Sequence, residues 1–561
     1  MPSPIFALSA RNLAAGPTRR APSRETSREI SRETGLVPAF ARAASLALLV
    51  PALCQCGGVE VLGDKPASSC DLVDYDVGES GRQQKIEIAT FWSSDAESAA
   101  FRVLQKVAVA RDYVIATTDR RDRDHQQTSL KAWLVNDSDP LPDAFQVNGG
   151  SDVLQWVDEE ETQLCPLTRL DERYDFSGSF FAATLAPVSC RRTLYGLPVG
   201  VHRLNVVFYN ETLVERLLAE AETQGVSLQR PEELQSVEAF IEHLGGIAAL
   251  GVESEDGAPI VPLALDATNT WPLAVLAFEN VMAASGGELY EAVWKGQEAM
   301  SASKGASALV DGEVSLRAGL SQVVEDVQAL GVYSNLSDQY REAGEPFHLD
   351  GGFRWQSALD MVASGLAAYT VMGDWGWAQV GAQNDAVRSM PFPGTGHAFI
   401  YTPDSFAVPR RGGSDGSGAH MWLKEVVADV ETQIAFAQVK QSIPAVRGLS
   451  EDELATLGNE RLAESYREFG RCQDPESDCQ LLLAVSGLGP SPAADPCFDE
   501  VGRLVARVAG LVSEEDREAQ ERGEPRECPL PFPVDPDEAG RELVERLVRE
   551  SREPFAADCR D

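Results

Sequence analysis

Residues 195–210, YGLPVGVHRLNVVFYN, decide how the rest of the chain is read. Gly196 and Pro198 open the stretch as a turn would. It then passes through His202, Arg203 and Asn205 and closes on an apolar run rich in β-branched and aromatic residues, which favour strands. Plain core strands rarely carry His-Arg-x-Asn at their centre. A strand that takes polar groups past apolar neighbours suits a chain crossing the floor of a binding cleft.

Upstream, residues 85–92 (KIEIATFW) alternate as a strand, and 95–111 place Ala99, Val103, Val107 and Ala110 at helical spacing. Residues 113–117 give a second strand, 128–134 a short helix, and 142–150 (PDAFQVNGG) a strand running into a glycine turn. This alternation predicts an α/β domain with a largely parallel sheet. Downstream the chain turns mainly helical, at 211–224, 236–245, 271–284, 315–330 and 357–364. Residues 397–408 are again strand-like, 412–418 form a glycine-rich loop, and 419–438 read as one helix. From about Cys472, acidic helices such as 538–550 alternate with Pro-rich loops holding Cys.

A chain of 561 residues exceeds one ordinary core, so two or more domains are expected. The net charge of -39 repels phosphate backbones and argues against nucleic acid as a partner. With 87 Asp and Glu, some carboxylates pair by chance, so pairs alone imply no glycosidase. Residues 1–42 are rich in Arg, Ser and Ala, and disorder is expected there. Residues 43–53, AASLALLVPAL, have the length of a signal-peptide apolar segment and precede Cys54, Cys56, Gly57 and Gly58. This leader, 1–56, resembles a bacterial lipoprotein signal, with lipid on Cys56 or Cys54. Leu53 stands at the right offset from Cys56, but Gln55 replaces the usual small residue. Residues 57–82 read as a linker. None of the ten Cys forms a CxxC pair and no Cys/His spacing suits zinc. In an exported chain disulfides are the natural reading; Cys472 with Cys479 and Cys165 with Cys190 are plausible local bridges, and connectivity stays open.

Six segments together carry a resemblance: FWSSDAES from Phe91, PDAFQVNGG from Pro142, YGLPVGVHRLNVVFYN, VMGDWGW from Val371, SFAVPRR from Ser405 and KQSIPAVR from Lys440. In this order and spacing the chain is similar to the sugar-binding members of the bacterial extracellular solute-binding proteins, the glucose/mannose-binding branch above all. The likeness covers about residues 85–448. It implies a two-lobed α/β fold of the periplasmic-binding-protein (Venus-flytrap) kind with interlobe hinge strands, residues 83–201 and 404–445 forming the first lobe. The second lobe takes 202–403 and 446–561, with a Cys-rich C-terminal elaboration. Crossings are expected near 200–203, near 402–404 and after Pro444. It further implies a receptor outside the cytoplasm that hands a mono- or small oligosaccharide to the permease of an ABC transporter, with no cofactor, no metal and no catalysis. The alternative from another class is a secreted carbohydrate-active enzyme on a two-lobed fold.

A sugar presents flat C–H faces and a rim of hydroxyls, so its site needs aromatic planes and fixed polar groups. Trp92 and Glu97 match family ligand contacts; a core aromatic and a solvated acid in a first helical turn are the plain alternatives. Gln146 and Asn148 lie two apart on one strand and share a face. Relatives often carry His where Asn148 stands. His202 is a ligand contact or a satisfied hinge histidine, and Arg203 an interlobe ion-pair residue. Asp374 matches a family contact beside Gly373, and Trp375 is a stacking or wall residue. Trp271 and Trp294 lie in the helical lobe, and Arg410 stands where relatives place a Lys. Gly412-Gly413-Ser414-Asp415-Gly416 satisfies G-x-S-x-G, but an esterase elbow needs a strand running tightly into the turn, and Arg410-Arg411 intervene.

Overall fold

The computed structural model describes residues 84–117, 142–150, 162–265, 273–295, 308–341, 355–380, 384–410, 417–484 and 536–550, with a few isolated residues between and within these ranges left in or out. The leader and linker, the expected helix at 128–134, the G-x-S-x-G loop and Trp271 lie outside the described residues. Two apolar cores organise what is described. The first gathers Ile88, Phe101, Phe145, Val199, Phe406, Trp422 and Phe436. The second gathers Phe208, Leu217, Phe240, Leu263, Leu320, Tyr369 and Leu543.

The first core lies on a six-stranded mixed sheet. Strands β1 (Gln84–Ala89), β2 (Tyr113–Thr117) and β3 (Ala144–Asn148) run parallel. After the short hairpin β4 (Ser189–Cys190) and β5 (Thr193–Leu194), strand β6 (Gly196–Arg203) joins the sheet. The second core lies on a four-stranded sheet of β7 (Val206–Asn210), β8 (Val261–Ala264), β9 (Ala367–Met372) and β10 (Val387–Pro391), in the order β10-β7-β9-β8. The ten-residue β11 (Ala398–Ala407) pairs antiparallel with β6 along one edge. Its other edge takes β12 (Gln480–Leu483) on the first half and β3 on the second. Every residue of β6 and β11 is buried, so neither strand shows the in-and-out alternation of a strand with one solvated face.

Residues 195–210 are therefore two strands in two sheets. Leu204 already belongs to the second core while Val201 belongs to the first. Asn205 holds the change of sheet. Its amide donates to Thr395 Oγ1 and Ala398 O, each at 2.9 Å, and its carbonyl accepts from Ile400 N at 3.1 Å and from Arg203 Nε at 3.1 Å. A side chain so fully bonded fixes where β6 ends and β7 begins.

Among the described residues the chain crosses between the cores three times, at β6, within β11 and at β12. The crossing expected after Pro444 does not fall there. Residues after Pro444 stay with the first core: Gln433 Oε1 accepts from the amides of Ala445 and Val446, and Val201 and Ile443 exchange backbone bonds of 2.8 and 2.9 Å. The helix Glu460–Arg471 then buries Leu462, Tyr466 and Phe469 in that same core. Only at β12 does the chain pass across, with Leu482 in the second core. The packing thus divides the described residues of 446–561 between the lobes, where the sequence reading assigned the whole range to the second. The helix Pro536–Glu550 closes the second core with Leu543 and Leu547, against the helix Ala308–Val332.

Cys472 and Cys479 are bonded, closing the turn that leads into β12. Cys165 and Cys190 are each disulfide-bonded as well. Residues 419–438 are not one helix. Ser417–Trp422 passes through a wider turn at Leu423–Val427 and stops, and Asp429 caps a new helix, Val430–Lys440, by accepting from Thr432 N at 3.0 Å. Among the described residues no helix is long and apolar enough to cross a membrane.

Candidate functional site

The three crossings place a set of buried ionic groups between the lobes. His202 stands near the end of β6, opposite Thr402 of β11. Its Nδ1 lies 2.5 Å from Asp374 Oδ1, and its Nε2 lies 3.2 Å from Asp404 Oδ2. The second contact is the longer of the two and pairs the ring with the Asp404 carboxylate. All three side chains are 5% exposed or less. Burial alone pushes the imidazole pKa down, but Asp374 and Asp404 outweigh it and hold it above its ordinary value. The ring is therefore driven toward the imidazolium, in which both nitrogens donate.

Asp374 ties the loop after β9 to the crossing. Its Oδ2 accepts from Arg203 N at 3.1 Å, and its own N donates to Arg203 O at 2.8 Å. Gly373 is required beside it: a Cβ there would fall 1.9 Å from the Trp375 ring, which folds back over the glycine. Trp375 meets the His202 ring edge-on at 5.3 Å and is partly exposed. Asp404 sits between Gly200 of β6 and Asn148 of β3. Burial raises its pKa, yet Lys440, His202 and Gln146 together hold the carboxyl below the usual carboxylate range.

Gln146 is fully buried and accepts from Thr90 Oγ1 at 2.5 Å. Asn148 is buried, and its side chain makes no hydrogen bond among the described residues. Glu97 uses one oxygen to cap its own helix, Asp95–Ala110, by accepting from Ser94 N at 3.0 Å. Its other oxygen lies 3.5 Å from Lys440 Nζ. Trp92 is 1% exposed and is walled by Phe436 at 5.3 Å, Phe406 at 5.8 Å and the Lys440 ammonium at 5.3 Å. The structure thus places Trp92 in the first core. Arg410 is exposed, with its guanidinium turned to Thr162 O at 3.4 Å, and among the described residues nothing ties it to the buried cluster. The side chain of Trp294, like Trp271, lies outside the described residues.

Sequence reasoning passed over Asp404, Lys440, Trp377, Arg461 and Glu468. Asp404 and Lys440 belonged to quoted or strand-like segments but had no visible partner. Arg203 meets Glu468 at 2.6 Å; because the Glu460–Arg471 helix packs on the first core, as β6 does, this ion pair lies within the first lobe and is not the interlobe pair expected of Arg203. Its guanidinium also lies 4.6 Å over the Phe399 ring. Arg461, seven residues earlier on the same helix, lies 5.1 Å over the ring of Trp377. The Asp95 helix approaches the short helix Gly376–Val380 of the second lobe. Ionic groups, amides and a partly exposed indole thus converge from both lobes, which suits reversible capture of a small polar molecule rather than bond cleavage.

The sequence profile described as bacterial extracellular solute-binding protein matches residues 124–457. An uncharacterised ABC transporter extracellular-binding protein of Pyrococcus horikoshii is 25% identical over 373 residues, 64% of this chain and 71% of that one. A probable sugar-binding periplasmic protein of Mesorhizobium japonicum is 23% identical over 432 residues, covering 74% and 88% respectively. Among solved structures, a chitin oligosaccharide binding protein superposes with a TM-score of 0.56 at 16% identity, over 84% of this chain and 99% of that one. At that identity the likeness concerns the two-lobed fold.

Proposed function

The chain belongs to the bacterial extracellular solute-binding proteins, and from this we propose that it binds a mono- or small oligosaccharide and delivers it to an ABC transporter permease. An extracellular family works outside the cytoplasm; attachment through a lipid on Cys56 or Cys54 is the finer part of the proposal. The observation that carries it is the convergence of His202, Asp374, Asp404, Gln146 and Asn148 on the strands that join two lobes. These groups suit a ring of hydroxyls that both donate and accept. Trp375 supplies the aromatic wall at the edge of the cluster.

Ligand favours the arrangement in which both lobes touch it, because only that form gives it contacts from both sides. The ordered hinge strands let one lobe move against the other without unfolding either core. In this reading Asp374, His202, Gln146, Asn148 and Trp375 meet the ligand, with Glu97 held at the rim by Lys440. Named relatives of the chain, such as the periplasmic protein of Mesorhizobium japonicum, support a sugar as the ligand.

Calorimetry of the purified protein against mono- and disaccharides tests the reading. Saturable binding of at least one sugar is expected. Binding of amino acids or peptides with none of any sugar would overturn it. Asp374→Asn keeps the shape and removes the charge; it is expected to weaken sugar binding roughly tenfold or more, since a charged acceptor contributes about 1.5–3 kcal/mol.

A further inference from the structure

The cationic groups between the lobes differ in one respect. Lys440 has Glu97, Arg203 has Glu468, and His202 has Asp374 and Asp404. Arg461 has no carboxylate within contact among the described residues. Its Nη2 donates to Gln441 Oε1 at 2.6 Å, and its guanidinium stacks on Trp377. It is largely buried, and that burial pushes its pKa down to about 10, with only the field of Asp374 acting the other way. A guanidinium carries five N–H donors in a fixed fork and no acceptor. One of them is taken by Gln441.

Trp377 adds a second observation. Its indole Nε1 is buried and has no hydrogen-bond partner among the described residues. Indole Nε1 is also a donor only. Trp377 packs on the second core, with its ring 5.2 Å from Phe208, while the Arg461 helix packs on the first. The remaining donors of the Arg461 fork and the unpartnered Trp377 N–H thus meet across the lobes, within the field of a carboxylate, Asp374, that only accepts.

We infer that Arg461 and Trp377 form a donor subsite of the cleft, which holds an oxygen of the ligand whose hydroxyl proton is directed to Asp374. A sugar hydroxyl can accept from one side and donate to the other, so it bridges the donor pair and the carboxylate. The charges select a neutral ligand: His202, Arg203, Lys440 and Arg461 are balanced by Glu97, Asp374, Asp404 and Glu468. An acidic sugar would leave a net negative charge in a buried place. The inference rests on the carbohydrate reading above and adds to it a specificity-determining residue beyond the profile-matched segment, which ends at residue 457.

The test measures binding of D-galactose, D-xylose, maltose and D-galacturonate to the wild type, Arg461→Gln and Arg461→Lys by calorimetry. Thermal unfolding and indole fluorescence are recorded for each. The wild type is expected to bind a neutral sugar with a change in indole emission. Arg461→Gln is expected to lose roughly tenfold or more in affinity. Arg461→Lys, which keeps charge without the fork, is expected to fall between the two. If Arg461→Gln unfolds early, Arg461→Lys decides alone. Wild-type affinity in both variants, or binding of D-galacturonate in preference to every neutral sugar, overturns this inference and leaves the carbohydrate reading standing. A wild type that binds none of the four, nor any other sugar of the wider mono- and disaccharide panel, overturns both.

Discussion

His202 is the residue on which the hinge chemistry turns. Its imidazole gains two carboxylate partners on folding, Asp374 and Asp404, and its folded pKa is held above the ordinary 6.5. A raised pKa means that the native state binds the proton more tightly than the unfolded chain does. The stabilisation is therefore complete below the ordinary histidine value and is lost as pH rises through the folded value. Asp404 works in the opposite sense: its pKa is depressed, so its share is present above the ordinary carboxylate range and is lost as pH falls through the folded value. His202→Gln leaves two buried carboxylates short of a cation and is expected to cost about 3–5 kcal/mol below pH 6.5. The gap between wild type and variant in thermal unfolding should narrow as pH is raised toward 9. A gap that is constant with pH would show that the imidazole is held neutral.

At the scale of the elements, Gly200 shows why the first crossing needs a glycine. A Cβ there would lie 2.6 Å from Ser442 Oγ and 3.4 Å from the Phe436 ring. Gly200→Ala is expected to destabilise the protein by about 1–3 kcal/mol through overpacking, read by denaturant unfolding; a neutral effect would mean that the Val430–Lys440 helix and its C-terminal turn shift freely. The bond between Cys472 and Cys479 closes a short turn, with a sequence separation of 7. Its reduction is expected to cost about 2–3 kcal/mol, measured as a lower unfolding midpoint in reductant. The strand character of residues 195–210 was legible because β-branched and aromatic residues dominate it. The resemblance implied a crossing near 200–203, but the exact change of sheet at Leu204 was not legible, because Arg203 and Asn205 beside it read equally well as polar positions of one continuous strand. The stop at Asp429 within 419–438 was missed for a related reason: a single Asp in an apolar helical pattern reads equally well as a surface position. Arg461 and Glu468 were illegible as site residues, since their spacing of seven also fits any solvated helix face, and the groups they meet, Trp377 and Arg203, lie far away in sequence.

For the molecule as a whole, binding and stability are linked. A ligand that engages only the folded protein adds about 2.7 kcal/mol at a hundredfold excess over its Kd. Thermal unfolding should therefore rise with sugar concentration, and a sugar bound in calorimetry that leaves the unfolding curve unmoved would point to a surface site. The two-lobed architecture followed from ordered segments spread along the chain, whereas the third crossing, at β12, lay in a region without a recognised segment. That third crossing has a further consequence, for the order in which the protein can be made. The first core is completed only near Cys479, and the second opens at Leu204 and closes with Leu543 and Leu547. Synthesis runs from the N-terminus, so nearly the whole polypeptide must exist before either lobe has all its walls. The long-range pairings that join them make folding slow. A chain with this layout emerges from the ribosome with both cores open and completes the second only after the helix Pro536–Glu550 is released.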